Sequence, residues 1–226
     1  MSSSAQLGIT IFCGASPGND PAYAAAAKSV AQALAREGIE TIYGGGTHGI
    51  MGIVASETLA AGGKVHGIIP GAFLSAEAPD REQTNPNERE TIVKSMHERK
   101  KMMADLSQGF IGLPGGFGTL EEVAEMTTWS QLGIHVKPVV LLNINGFYSH
   151  LRSFINNAIS SGFIAEKNRN FLTFVDPPST SPSSIDFDWG QAAINAVREW
   201  QRLGSGGATP FSFEWQGDRE RREEVI

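Results

Sequence analysis

The sequence predicts an α/β protein: a Rossmann-like doubly wound parallel sheet with helices on both faces, formed by a single domain. Three observations predict it. Short apolar runs alternate with helical patterns along the chain. Glycine-rich loops follow several of those runs. The 226 residues are enough for one domain with a substantial core.

The elements follow in order. Residues 7–12 (LGITIF) read as a buried strand that ends at Cys13-Gly14. Asp20-Pro21 then supplies a cap and a proline at the first helical position. The Ala-rich stretch 22–37 is a helix closed by Gly38. Strand 39–43 runs into Gly44-Gly45-Gly46, helix 49–61 ends at Gly62-Gly63, and strand 64–69 stops at Pro70-Gly71. Residues 72–87 read as a loop and 88–107 as one long, mixed-charge helix. Strand 109–113, helix 118–131, strand 137–142, helix 147–160, strand 171–175 and a last helix near 188–202 complete the pattern. The catalytic domain is expected to span 1–204. The Gly-rich, then densely charged 205–226 reads as a mobile tail.

Composition excludes several classes. A net charge of -6 argues against a nucleic-acid binder, although a local basic patch is present around Lys100. Cys13 is the single cysteine, so no intramolecular disulfide can form, which fits a reducing compartment. The start, MSSSAQ, lacks the basic and apolar regions of a secretory signal. No run approaches the roughly 20 apolar residues of a membrane helix. A cytoplasmic protein with no membrane contact is the expectation.

Three strand-to-helix junctions are rich in small residues: 14–18, 44–52 and 114–119. Glycine lets backbone N–H groups approach a ligand, and a helix start adds unpaired donors and a positive dipole end. Three such loops at one edge of a sheet favour a phosphate site over mere tight turns, with Ser16 or Thr119 able to add a hydroxyl. Gly44, Gly46 and Gly49 spell G-x-G-x-x-G, but the motif follows the second strand and 64–71 offers no carboxylate for a ribose. A dinucleotide is therefore discounted. No G-x-x-x-x-G-K-[ST] is present, and His97-Glu98 fails as a zinc motif because position 101 is Lys.

Ile92, Met96, Met103 and Leu106 recur at helical spacing, and Arg99 falls on the same stripe. An arginine there is either a structural ion-pair partner or faces a ligand. His97, Lys100 and Lys101 then form a solvated basic face or a rim for phosphate. Glu121 and Glu122 sit in the first turn of the following helix, where carboxylates are favoured in any case. Alternatively one of them points into the cleft, close to a sugar that develops positive charge.

Pro114 to Glu122 (PGGFGTLEE) resembles the P-G-G-x-G-T-x-x-E motif of the LOG (Lonely Guy) cytokinin-activating proteins. MHERKKMM at 96–103 is similar to that family's second motif, and GGGTHGIMG at 44–52 to its first glycine loop. The resemblance runs from the first strand to about residue 160, and more faintly to about 200. It implies a hydrolase that cleaves the N-glycosidic bond of an N6-substituted adenosine 5′-monophosphate, releasing a free cytokinin base and ribose 5-phosphate. It also implies Arg99 and Glu122 as the catalytic pair. Gly115, Gly116, Gly118 and Thr119 would hold the phosphate. Ser16, Gly45, Gly46, Gly49, Met96, Lys100 and Glu121 complete the candidate substrate-binding set.

No metal or redox cofactor is expected. A pyridoxal-phosphate decarboxylase, a label such proteins often carry, is rejected, because the lysines are read as exposed on a helix face or near strand starts. A homodimer is expected, from the resemblance and from apolar residues Met126, Trp129, Leu132 and Ile134. Two alternatives stay open: a general AMP nucleosidase-type hydrolase, and a non-catalytic nucleotide or cofactor carrier of the same fold.

Overall fold

A computed structural model describes residues 8–73, 85–178 and 184–208. Seven strands form one sheet: β1 (Gly8–Phe12), β2 (Thr41–Tyr43), β3 (Val65–Pro70), β4 (Glu88–Val93), β5 (Ser107–Gly112), β6 (Val139–Leu142) and β7 (Leu172–Val175). Their spatial order is β4-β3-β2-β1-β5-β6-β7, and every neighbouring pair is parallel. The helices are α1 (Pro21–Arg36), α2 (Gly49–Ala60), α3 (Met96–Leu106), α4 (Phe117–Gln131), α5 (Ser149–Ser160) and α6 (Trp189–Arg202).

A parallel sheet covered on both faces needs strands that are apolar on both sides. Alternate residues of each strand enter opposite cores. Ile9, Ile11, Ile111 and Val140 pack with Val30 and Leu34 of α1, Val54 of α2, and Trp189 and Ile194 of α6. Phe12, Phe110, Val139 and Leu141 pack on the other face with Met103 of α3, Val123 and Met126 of α4, and Leu151 and Ile155 of α5. The sheet is thus doubly wound, as the sequence predicts. Its strand order reverses between β1 and β5.

Local signals explain the helix starts. Asp20 Oδ1 accepts from Ala22 N at 2.9 Å, with Pro21 in the first turn of α1. Ser95 Oγ accepts from Glu98 N at 3.1 Å, and Glu98 Oε2 accepts from Lys94 N at 2.7 Å, so α3 opens on a variant of the capping box.

That start corrects the sequence reading. The single helix expected over 88–107 is a strand followed by a shorter helix. ERETIV pairs with β3 over its whole length, from Val65↔Glu88 to Pro70↔Val93. As the outermost strand it tolerates charges that an inner strand would not. Two members of the expected apolar stripe therefore leave the core: Ile92 is 50% exposed on β4, and Met96 is exposed at the start of α3. Most of the 72–87 loop, residues 74–84, lies outside the described residues.

The expected mobile tail begins with a docked turn. Asn170 Nδ2 donates to Gly206 O at 2.7 Å, and Ala208 is buried with Phe171 and Trp200. Residues 209–226 lie outside the described residues. No described helix is long and apolar enough to cross a membrane.

The loop between α4 and β6 carries a pH-sensitive group. The His135 ring lies 5.3 Å from Phe110 and 6.3 Å from Trp129. Neither ring nitrogen has a hydrogen-bond partner among the described residues. Burial, and then the Lys137 charge, push its pKa from 6.5 down to about 4. The folded protein therefore keeps His135 neutral where the unfolded chain protonates it. Full stability is present above pH about 6.5, and it falls as pH drops toward about 4. We expect this one group to cost about 2 kcal/mol across that window, allowing for its partial contact with solvent. His135→Phe should raise Tm and flatten that part of the stability–pH curve. An unchanged curve in urea titrations at pH 7 and 5 would refute it.

Candidate active site

In an open parallel sheet, ligands bind beyond the carboxyl ends of the strands, where the order reverses. That point lies between β1 and β5. The loops after these strands diverge to opposite faces and leave a cleft of about 520 Å³. Its walls come from the β1 loop (Cys13 to Gly18), from Pro114 to Thr119 after β5, and from Tyr23, Ile50, Met51, Arg99, Glu122 and Phe147.

The sequence-predicted residues separate into three groups. Arg99, Glu122, Ser16, Gly115, Gly116, Gly118 and Thr119 all line the cleft. Gly45, Gly46 and Gly49 lie behind its wall, packed on Ile69, Met51 and the Ala15 backbone. Met96, Lys100 and Glu121 also stand off the cleft lining. Among the described residues, Gly116 and Gly118 have open space where a Cβ would point, so a ligand can approach their backbone closely. Gly116 caps α4 without a side-chain hydrogen bond. The N–H groups of the first turn and the positive end of the helix thus face the cleft, an arrangement that suits phosphate.

Arg99 is 6% exposed, and Glu122 on the second turn of α4 is 8% exposed. Arg99 Nη2 donates to Gly44 O at 3.2 Å. Its Nη1 lies 3.8 Å from Met96 Sδ. Its Nε is buried and has no partner among the described residues. An arginine held this way retains donor capacity for a ligand. Cys13 lines the same cleft as the two groups and feels the charge of both. Its thiol is pushed far up by burial and then by the Glu122 charge, with Arg99 acting in the opposite sense.

Lys100 contradicts the expected solvated basic face. It is 5% exposed and pairs with two carboxylates of α4, Glu121 and Glu125, the latter at 2.8 Å. Burial works against its charge, but the two carboxylates outweigh it and raise the ammonium pKa. His97 and Lys101 are exposed, as read from the sequence. Sequence reasoning missed Cys13, Tyr23, Met51 and Phe147 as lining residues. Cys13 had a usable signal, its place just after the first strand. Tyr23 and Phe147 had none, because they meet edge to face at 5.9 Å only through the tertiary fold.

Fold and site together define a doubly wound α/β protein with a buried arginine and glutamate at its switch-point cleft. Residues 51–184 match the family model described as "Possible lysine decarboxylase". The chain is 45% identical over 172 residues to the cytokinin riboside 5′-monophosphate phosphoribohydrolase LOG5 of Arabidopsis thaliana, covering 76% of this chain and 72% of that one. It is 44% identical over 164 residues to LOG of Oryza sativa subsp. japonica, covering 73% and 66%. The chain belongs to the LOG family of cytokinin riboside 5′-monophosphate phosphoribohydrolases.

Among solved structures, the molybdenum cofactor binding protein of Rippkaea orientalis has a TM-score of 0.59 at 20% identity, over 87% of this chain and 98% of that one. The Moco carrier protein of Chlamydomonas reinhardtii gives 0.59 at 18% identity, with the same coverage. At such identities the likeness is one of fold.

Two glycines separate support of the site from support of the fold. A Cβ on Gly44 would lie 2.1 Å from Arg99 Nη2, the end of a flexible side chain. A Cβ on Gly115 would lie 2.8 Å from the Gly14 backbone nitrogen. Gly44→Ala should therefore fold with Tm nearly unchanged and the Arg99 head displaced, whereas Gly115→Ala should lose about 1–3 kcal/mol. A crystal structure of Gly44→Ala with Arg99 unmoved would refute the first claim, and an unaltered Tm for Gly115→Ala the second.

Proposed function

We propose that the protein hydrolyses the N-glycosidic bond of an N6-substituted adenosine 5′-monophosphate, giving the free base and ribose 5-phosphate. The observation that carries this reading is the burial of Arg99 and Glu122 in the wall of one cleft, beside an uncapped helix start suited to phosphate. The phosphate is held at Gly115, Gly116, Gly118 and Thr119, with Ser16 facing it across the cleft.

Water adds across the C1′–N9 bond: its hydroxyl goes to C1′ and its proton to the base. The bond breaks through an oxocarbenium-like state, as in glycoside hydrolysis. The Glu122 carboxylate stabilises that cation and orients the incoming water. The Arg99 guanidinium takes up negative charge that develops on the departing purine. The apolar lining from Ile50, Met51, Tyr23 and Phe147 suits a base better than a second phosphate.

A lysine decarboxylase reading finds no support, because among the described residues no lysine lines the cleft. The carrier reading rests on fold likeness alone, and a carrier has no need of a buried arginine and glutamate at the reacting position.

We also propose a homodimer and a cytoplasmic setting. The apolar patch expected at Met126, Trp129, Leu132 and Ile134 is corrected in part, since Met126 is core and Trp129 and Leu132 are half-buried, while Ile134 is exposed. A second group of exposed apolar residues, Phe117, Leu120 and Phe147, surrounds an apolar cleft of about 350 Å³ that reaches Leu151. Such a patch fits a second copy of the chain. A buried free thiol accords with a reducing compartment.

Glu122→Gln and Arg99→Ala should each lower kcat by about 10³-fold while Tm shifts by only a few degrees. The check is release of free base from isopentenyl-AMP beside a melting curve for each variant. Were Arg99 a structural ion-pair partner, its loss would instead destabilise the fold by about 3–5 kcal/mol. Near-normal turnover in Glu122→Gln would end the hydrolase reading. The monophosphate should also exceed the riboside in kcat/KM by at least about 10²-fold, because phosphate binding energy is used at the reacting centre. Comparable values for the two substrates would show that the loops do not bind phosphate.

A further inference from the structure

Lys100 is a buried cation that the mechanism above does not use. Its ammonium lies between Glu121 and Glu125, one turn apart on α4 and so on one face of that helix. The register gives this contact its meaning. Arg99 and Lys100 are consecutive on α3, and Glu121 and Glu122 are consecutive on α4. Consecutive helical residues point about 100° apart. One member of each pair turns into the cleft, and the other turns toward the opposite helix. The ionic tie between α3 and α4 therefore lies one residue away from each reacting group.

Other polar anchors of α3 sit farther from the cleft. Thr10 Oγ1 donates to Met103 O at 3.3 Å, and Lys137 Nζ donates to Ala104 O at 2.5 Å. Both hold the C-terminal half of the helix. Near Arg99, apart from the capping bonds to Lys94 and Ser95, α3 is tied to other elements by Arg99 to Gly44 O and by the Lys100 pair. A buried ion pair contributes little net stability compared with apolar residues of the same size, but it has a narrow geometry.

We infer that Lys100 is a positioning residue: its tie to Glu121 and Glu125 fixes α3 against α4 and so sets the placement of Arg99 relative to Glu122. The inference rests on the hydrolase reading. Losing the tie leaves the phosphate loop intact and disturbs the alignment of the two reacting groups. A misplacement of about 1 Å costs about 10²-fold in rate. The loss should therefore fall on kcat and spare KM.

The test compares wild type with Lys100→Met, Lys100→Arg and the double variant Glu121→Gln/Glu125→Gln, assayed on isopentenyl-AMP well below each Tm. Lys100→Met should lose about 10- to 100-fold in kcat with KM within about threefold, and Lys100→Arg should recover most of the loss. The double glutamine variant breaks the tie from the α4 side and should reproduce the kcat loss; it decides the matter if Lys100→Met does not fold. Normal kcat in a folded variant with a lowered Tm would reduce Lys100 to a stabilising role and overturn the inference. So would a raised KM with kcat retained, which would put Lys100 on the substrate. Absence of turnover in wild type would count against the hydrolase reading instead. The tie is then judged by the Arg99–Glu122 separation in a crystal structure of the double variant, and an unchanged separation overturns it.

Discussion

The peptide groups around Gly14 join all the parts of the site. Gly14 N donates to Pro114 O at 3.1 Å, and Gly14 O accepts from Met51 N at 3.3 Å. The first bond links the loop after β1 to the loop after β5, and the second links it to the start of α2. The three glycine-rich junctions thus form one hydrogen-bonded unit at the sheet edge. This contact requires close backbone approach, since a Cβ on Gly14 would come within 3.3 Å of Gly115 Cα. The division of labour among the junctions follows from it. The 44–52 loop supports the wall and anchors Arg99, while the 114–119 loop lines the cleft.

Much of the fold was legible because its signals are local. Asp20-Pro21 and the glycines after α1 and α2 mark boundaries through backbone chemistry that acts within a few residues. The apolar runs of β1, β3, β5 and β6 are buried on both faces and carry no competing helical pattern. β4 was not legible for a physical reason. An edge strand buries little, so ERETIV can be highly charged, and Ile92 and Met96 happen to fall four residues apart. The stripe that drew attention to Arg99 was thus half accidental, although Met103 and Arg99 do share the inward side of α3. The site was legible where a motif is contiguous, as in Pro114 to Glu122. It was not legible at Lys100, because one of its two partners, Glu125, lies beyond that motif and nothing in the chain pairs positions 100 and 125.

Arg99 and Lys100 show two ways of keeping a cation inside a protein. Burying a charge is costly unless it is paired or hydrogen-bonded. Lys100 meets that cost with two carboxylates, and its charge is satisfied within the protein. Arg99 is held by a backbone carbonyl and a thioether, with a donor left over. A fully satisfied cation has nothing to offer a ligand, whereas a partly satisfied one is stabilised when an acceptor arrives. The neighbouring positions therefore divide the work, and a lysine suits the compact site between two carboxylates as a planar guanidinium suits the ligand side.

The same electrostatics bear on the floor of the cleft. A thiolate at Cys13 would be a stronger nucleophile than water toward an oxocarbenium carbon and would form a covalent adduct. Burial and the Glu122 carboxylate both oppose its ionisation, and Arg99 only partly offsets them. The thiol therefore stays neutral, as a small apolar surface in the cleft lining. The carboxylate that would stabilise the developing cation also keeps the competing nucleophile protonated. With Cys13 neutral, the proposed hydrolysis meets no competing thiolate in the cleft, and water is left as the nucleophile it requires.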